Sequence, residues 1–157
     1  MQRLNFQQYQ FSIENRLQKK VIFDNIRKKF VPLTPEEWVR QHVVSFLTVE
    51  KHFPAGLLSL ERQLILNGLN KRTDIVAYNK LAEPVLIVEC KAPEVPVTKK
   101  VFEQIARYNL KLKVPFLMVS NGINHYYCFA DWKNNKINFI ESLPPFNEIE
   151  NTVVVEN

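Results

Sequence analysis

Apolar and polar positions change period several times along the chain, and each change predicts an element. In "PLTPEEWVRQHVVSFLTVEKHFP", apolar Trp38, Val39, Val43, Phe46 and Leu47 recur at helical spacing. Thr34 suits an N-cap, Pro35 the first helical position, and Glu37 stands three residues after the cap. The pattern predicts a helix from Pro35 to about Lys51, stopped before Pro54. Period two then takes over. "LLSLERQLIL", "KRTDIVAY" and "VLIVECKA" read as successive strands, with "NKLAEP" as the turn between the last two. Centring that turn between Leu81 and Ala82 sets Tyr78 against Val85, Val76 against Ile87 and Asp74 against Glu89.

Thr98 can cap a second helix running to about Lys113, with Val101, Ile105, Tyr108 and Leu112 on one side. Gln104 and Tyr108 are neighbours along its surface. "PFLMVS" is a short apolar strand, and strand, helix, strand predicts a right-handed crossover with Phe116–Ser120 parallel to Val85–Cys90. Asn121-Gly122 turns the chain into antiparallel "HYYCFA", and "KINFIES" adds one more strand. Near the start, "QQYQFSIE" and "KKVIFD" alternate as a hairpin would, with a helix as the alternative. "PPFNEIENTVVVEN" reads as an extended tail carrying a short strand at Thr152–Val155. The expected fold class is α/β: a mixed β-sheet flanked by helices, with a β-rich N-terminal extension. Residues 1–157 read as one domain, with 1–32 the extension, 33–143 the core and 144–157 the tail.

Composition narrows the classes. Hydrophobic residues make up 46% and charged residues 24%, which suits a globular domain and argues against disorder. No apolar run approaches the ~20 residues of a membrane helix, and "MQRLNFQQYQ" has no signal-peptide core, so a cytoplasmic location is expected. Cys90 and Cys128 fall inside strand-like runs and read as buried free thiols. His42, His52 and His125 are too scattered to join them at a zinc. The net charge of +5 leans towards a polyanionic partner. The basic bunches "LQKK", "IRKKF", Lys99-Lys100 and Lys111 with Lys113 each read, taken singly, as solvated surface.

The informative stretch is "VLIVECKAP", where a buried strand runs into charge. Glu89 and Lys91 are two apart and share a face, and the hairpin register brings Asp74 opposite Glu89 on that face. Opposed carboxylates repel. Either one is protonated, or a divalent cation sits between them; hard oxygens suit Mg2+, with Mn2+ able to substitute. Lys91 would then meet an anionic oxygen. A metal, two carboxylates and a lysine can hydrolyse a phosphodiester. On this reasoning Glu89→Ala would lose metal yet gain metal-free stability by relieving the repulsion.

The wording also resembles a known family. "TD" followed by "ECK" resembles the PD-(D/E)xK nuclease motif, with Thr73 in place of Pro, and "QIARY" resembles the QxxxY motif of its RecB-like branch. Together with "TPEEWVRQ", "RTDIVAY", "LIVECKAP", "EQIARYN" and "VSNG", the stretch from about Leu33 to about Phe129 is similar to the N-terminal domain of type I restriction R subunits. The resemblance implies a restriction-endonuclease-like fold and magnesium-dependent DNA cleavage. It implies that Asp74 and Glu89 hold the metal, that Lys91 is the catalytic lysine, and that Gln104 and Tyr108 orient DNA or the site. It also implies a helical Glu near the metal, for which Glu37 is the candidate and Glu36 the runner-up. Glu37 has an equal claim as the second half of a capping box with Thr34, and Tyr108 has a core reading beside Ile105 and Leu112. Lys99 and Lys100, in the first turn of their helix, could land a phosphate on the rim that holds Glu89; the alternative is two solvated lysines. The helicase motor of R subunits has no counterpart, since no GxxxxGK[ST] loop occurs. The expected partners are therefore DNA and a separate motor or specificity subunit, and a homodimer would suit the cutting of two strands. A catalytically silent nucleic-acid-binding or scaffold module keeping the same fold is the rival reading. A small-molecule enzyme is a third, disfavoured by the lack of a Gly-rich nucleotide loop.

Overall fold

The computed structural model describes residues 1–152. It contains two sheets. A three-stranded antiparallel sheet is built from β1 (Ile13–Arg16), β2 (Lys19–Asp24) and β3 (Lys29–Pro32). The six-stranded sheet has the order of the chain itself: β4 (Leu58–Leu66), β5 (Leu69–Tyr78), β6 (Pro84–Cys90), β7 (Phe116–Ser120), β8 (His125–Asp131) and β9 (Lys136–Ile140). Only β6 and β7 run parallel; the other neighbours are antiparallel. The expected α/β class and mixed sheet are what the chain adopts.

Helix α1 (Pro35–Ser45) starts where expected, with the Thr34 hydroxyl accepting from the Glu37 amide at 3.0 Å. It continues as a π-helical turn, Phe46–Glu50, so the expected end near Lys51 holds while the last turn is wider. Its stripe of Val39, Val43 and Leu47 is wholly buried against Leu60, Ile75, Leu86, Val88 and Cys90 on one face of the large sheet. Helix α2 (Lys99–Leu110) covers the other face, capped by Thr98. There Phe102 and Ala106 pack with Ile87, Leu112 and Val119. The face expected for α2 is corrected by one position: Phe102, Ala106, Asn109 and Leu110 are buried, whereas Tyr108 is 49% exposed. Tyr108 is thus not a core residue.

The β5–β6 register is as expected at Val76↔Ile87 and slips at the turn, where Tyr78 faces Pro84 rather than Val85. The Asn79 side chain causes the slip. Its Oδ1 accepts from the amides of Leu81 and Glu83 at 2.9 Å, and Ala82 takes a φ of 61°, so the turn closes one residue shorter than expected and Val85 is left as the extra residue of β6. The N-terminal region holds one more strand, β3, than the expected pair. The tail is not wholly extended: Phe146–Glu150 form a short helix, α3, whose Phe146 and Ile149 enter the α1-side core. Of the tail strand expected at Thr152–Val155, only Thr152 is among the described residues, in no strand, and the remainder lies outside them. No helix among the described residues is long and apolar enough to cross a membrane.

One irregularity positions the site. Leu58 and Leu60 of β4 pack on the α1 side, but Leu64 and Leu66 pack on the α2 side. On β5, Ile75 and Ala77 face α1, while Leu69 faces α2. Parity is broken on both strands although the register between them holds, Leu60↔Ile75 and Arg62↔Thr73. The rotation centres on Glu61, which takes a φ of 50°.

Candidate active site

Asp74 and Glu89 occupy the positions next beyond the last ladder pair of β5 and β6, Ile75↔Val88. The strand rotation sends their carboxylates to different partners. Asp74 turns to α1, where its Oδ1 accepts from Arg40 Nη2 at 2.9 Å, and its Oδ2 accepts from the Cys90 amide at 2.8 Å. Glu89 accepts from the Lys71 ammonium, which also donates to Asn109 Oδ1 at 2.9 Å and lies 5.2 Å above the Tyr108 ring. The expectation that both carboxylates share one face is therefore corrected. Each carboxylate has an internal cation beside it, Arg40 for Asp74 and Lys71 for Glu89.

Arg40 is the hub. It is only 4% exposed, and its guanidinium meets Glu36 at 2.9 Å, Glu37 at 2.8 Å and Asp74 at 2.9 Å, with Glu61 at 3.4 Å. Burial works against its charge, but the hydrogen bond to Asp74 and the field of Glu37 override this and raise its pKa. Glu37 forms only the backbone half of a capping box. Its carboxylate turns inwards to Arg40, Arg27 and Gln41, while the Thr34 amide donates to the Pro32 carbonyl. Arg27 ties this cluster to the small sheet through Asp24, which is fully buried. Burial pushes the Asp24 pKa up, and the hydrogen bonds from Arg27 and Ile26 outweigh it, leaving the carboxyl below its usual range. A cleft of about 600 Å³ opens beside this network, lined by Lys29, Thr34, Glu36, Glu37, Arg40, Glu61 and Ala92.

Lys91 follows β6, half-buried, its amide donating to the Ser120 carbonyl at 2.8 Å. Among the described residues its ammonium has no carboxylate within ion-pair distance. Gln104 is exposed midway along α2, and its side chain hydrogen-bonds nothing among the described residues. The Lys99 ammonium lies 5.2 Å from the Phe139 ring on β9. That strand is the third neighbour of β6, roughly 14 Å away at the usual strand spacing. Helix α2 thus begins over the β9 edge and brings only its end, Tyr108 and Asn109, to Glu89. The expected rim shared by Lys99, Lys100 and Glu89 is corrected accordingly; Lys100 is exposed beside Lys99.

Both cysteines are buried and free, and burial pushes their thiols up, Cys128 to about 12. Among the described residues no three of His, Cys, Asp and Glu converge as a metal-holding group. Two residues central to the site escaped the sequence reading, Arg40 and Lys71. Arg40 stands four and three residues after Glu36 and Glu37, the helical spacing of ion pairs, and could have been found. Lys71 reaches Glu89 only because β5 rotates, and no local signal marks it.

Residues 35–144 match the family described as type I restriction enzyme R protein N terminus (HSDR_N). The chain belongs to this family. The match begins at the first residue of α1 and takes in Glu37, Arg40, Lys71, Asp74, Glu89, Lys91 and the whole of α2. It supports a restriction-related function, and the three-stranded sheet precedes it. No curated protein gives a significant match.

Proposed function

We propose that this R-protein N-terminal domain is a magnesium-dependent endodeoxyribonuclease of PD-(D/E)xK type, working on DNA beside other subunits of a restriction system. The observation that carries the reading is the contrast at the end of β6. Asp74 and Glu89 are each held by a cation, while half-buried Lys91 has no counter-ion among the described residues. A lysine kept from carboxylates at that position is available to an anionic oxygen.

The donor chemistry suits magnesium. One or two carboxylates, with water and phosphate oxygens completing the shell, are what that ion ordinarily takes, so three converging acids are not required. Asp74 and Glu89 would hold it. Once bound, such an ion lowers the pKa of a water ligand and polarises the phosphoryl oxygen. Lys91 stabilises negative charge as it develops on the phosphate. Arg40 and the Cys90 amide orient the Asp74 carboxylate; Lys71, held by Asn109 over Tyr108, orients Glu89. Glu37 would reach a metal only by giving up Arg27, Arg40 and Gln41, so we assign it to positioning Arg40.

Calorimetric titration with Mn2+ tests the reading. Saturable binding by the wild type, lost in Asp74→Ala, with cleavage abolished in a folded Lys91→Ala variant, is the expected result. Absence of metal binding in the presence of DNA, or full cleavage by Lys91→Ala, would refute it. The silent binding module remains the second reading, favoured by the internal neutralisation of both carboxylates.

A further inference from the structure

Charge is distributed unevenly along this chain. Residues 1–32 hold seven of the 21 Lys and Arg and two of the 16 Asp and Glu. Their net +5 equals that of the whole chain, so residues 33–157 are neutral. The excess therefore belongs to the three-stranded sheet and its leader, outside the family match.

Within that sheet, β1 and β2 form a hairpin whose loop is only Leu17-Gln18, closed by the pair Arg16↔Lys19. Both loop residues take positive φ, 51° and 65°. A loop of this type ordinarily draws Asn-Gly, because only small or Asx residues tolerate that region. Here a leucine holds the first position and is 97% exposed. A large apolar side chain held at a strained backbone position is an outlier from which a functional reading can start. The flanks are basic on both faces. Ile22 and Val31 mark the inner face of the sheet and Phe23 and Phe30 the outer. Alternation puts Lys20 on the inner face and Arg16 and Lys19 on the outer. Arg16 pairs with Glu14 and lies 4.0 Å over Phe30, whereas Lys19 and Lys20 have no ion-pair partner among the described residues.

We propose that the β1–β2 hairpin enters a groove of duplex DNA, Leu17 leading as an apolar wedge and Lys19 and Lys20 meeting the phosphates of the two groove walls. A two-stranded ribbon fits the major groove, and basic residues on both of its faces match a slot walled by phosphate on both sides. An anionic membrane surface would instead favour charge on one face. Apolar side chains are used as wedges between base steps by proteins that bend DNA. The other end of β2 is Asp24, which Arg27 links to Glu37 beside Arg40. Strand β2 thus runs roughly 17 Å, five residue steps, from the hairpin loop to Asp24, and Arg27, Glu37 and Arg40 continue the connection to Asp74. The inference rests on the DNA reading above, not on cleavage.

The test is fluorescence anisotropy of a labelled duplex with the whole chain in EDTA, at salt from 50 to 200 mM. Lys19→Gln/Lys20→Gln should bind more weakly and with a shallower salt slope, by about 1.8 for two lost contacts. Across that range the wild type should lose roughly tenfold more affinity than the variant. Leu17→Gly should weaken binding with the slope unchanged, and Lys99→Gln/Lys100→Gln should bind as wild type. Wild-type affinity and slope in both hairpin variants would overturn the proposal. So would tighter wild-type binding to single-stranded DNA or to phosphatidylserine vesicles than to duplex, or no duplex binding at all. The two readings fail separately: hairpin variants that lose DNA while Mn2+ titrations stay flat would remove the nuclease and keep this surface.

Discussion

Replacing Arg40 by methionine deletes the cation that four carboxylates share while keeping much of the side-chain volume. Arg40 is 4% exposed, and without it Glu37 keeps Arg27 and Gln41 whereas Asp74 keeps the Cys90 amide and no cation among the described residues. Breaking a buried pair by removing one partner costs about 3–5 kcal/mol, mostly the penalty of the stranded charge. A domain of this size has roughly 5–15 kcal/mol in all. At about 2–4 °C per kcal/mol for such a chain, the variant should melt roughly 6–20 °C lower. Circular dichroism melts at neutral pH without metal measure this directly. Adding Asp74→Asn to Arg40→Met should recover part of the loss, because it removes the carboxylate left without a cation. A single variant that melts within about 2 °C of wild type would refute the claim that Arg40 neutralises this cluster. A double variant no better than the single would show that lost packing, not charge, is responsible.

Two further outcomes follow from other parts of the molecule. The Asp24 carboxyl is held below its usual range, so it contributes stability that is present above about pH 4, the unfolded value. That contribution is lost as pH falls through the depressed folded value, and acid melts of wild type should therefore drop more steeply below pH 4 than those of Asp24→Asn; parallel curves would contradict it. Gly122 takes a φ of 87°, and a Cβ there would stand 2.8 Å from Leu4 Cδ2 and 3.1 Å from Val39 Cγ2. Gly122→Ala should cost about 1–3 kcal/mol in urea unfolding, and a neutral result would mean that the N-terminal segment does not pack there as described.

Much of the fold was legible because period and punctuation agree. Thr34-Pro35 marks the start of α1, Thr98 that of α2, and the apolar run Phe116–Ser120 fills a strand buried on both faces. What escaped was set by contacts distant in sequence or by side chains acting on backbone. The slip at Tyr78 accompanies a tighter turn built on the Asn79 amide, with Val85 left over as a bulge, which strand alternation does not reveal. The face of α2 is shifted by one position because polar Asn109 is drawn inside by Lys71 and the Ile105 carbonyl. Helix α3 was hidden by its length, five residues after Pro144-Pro145, although Phe146 and Ile149 have helical spacing. At the site, the register that sets Asp74 opposite Glu89 was readable, but the side to which each carboxylate turns and the cation it meets were not. Lys71 and Ile75 are four apart on one strand and should share a face; they do not, because the hairpin rotates at Glu61.

That rotation reverses one expectation outright. If Asp74 and Glu89 merely repelled each other, Glu89→Ala would stabilise the metal-free protein. The structure gives Glu89 a cation instead, and the Lys71 and Glu89 side chains are 13% and 14% exposed. Truncating Glu89 strands the Lys71 ammonium with the Asn109 carbonyl as its remaining hydrogen-bond acceptor and the Tyr108 ring beneath it. The cost of an unpaired cation in a mostly buried site outweighs relief from Asp74, whose charge Arg40 already neutralises. The expected loss is about 1–3 kcal/mol, below the fully buried case because water still reaches part of the pair. Urea unfolding in EDTA reads it as a lower midpoint at unchanged slope. Lys71→Met/Glu89→Ala should lie closer to wild type than Glu89→Ala alone, since the stranded charge goes with its partner. A midpoint that rises in Glu89→Ala would mean that direct repulsion between the two carboxylates outweighs the pairing with Lys71, and the metal would then be needed to hold the two strands' ends together as well as for any chemistry.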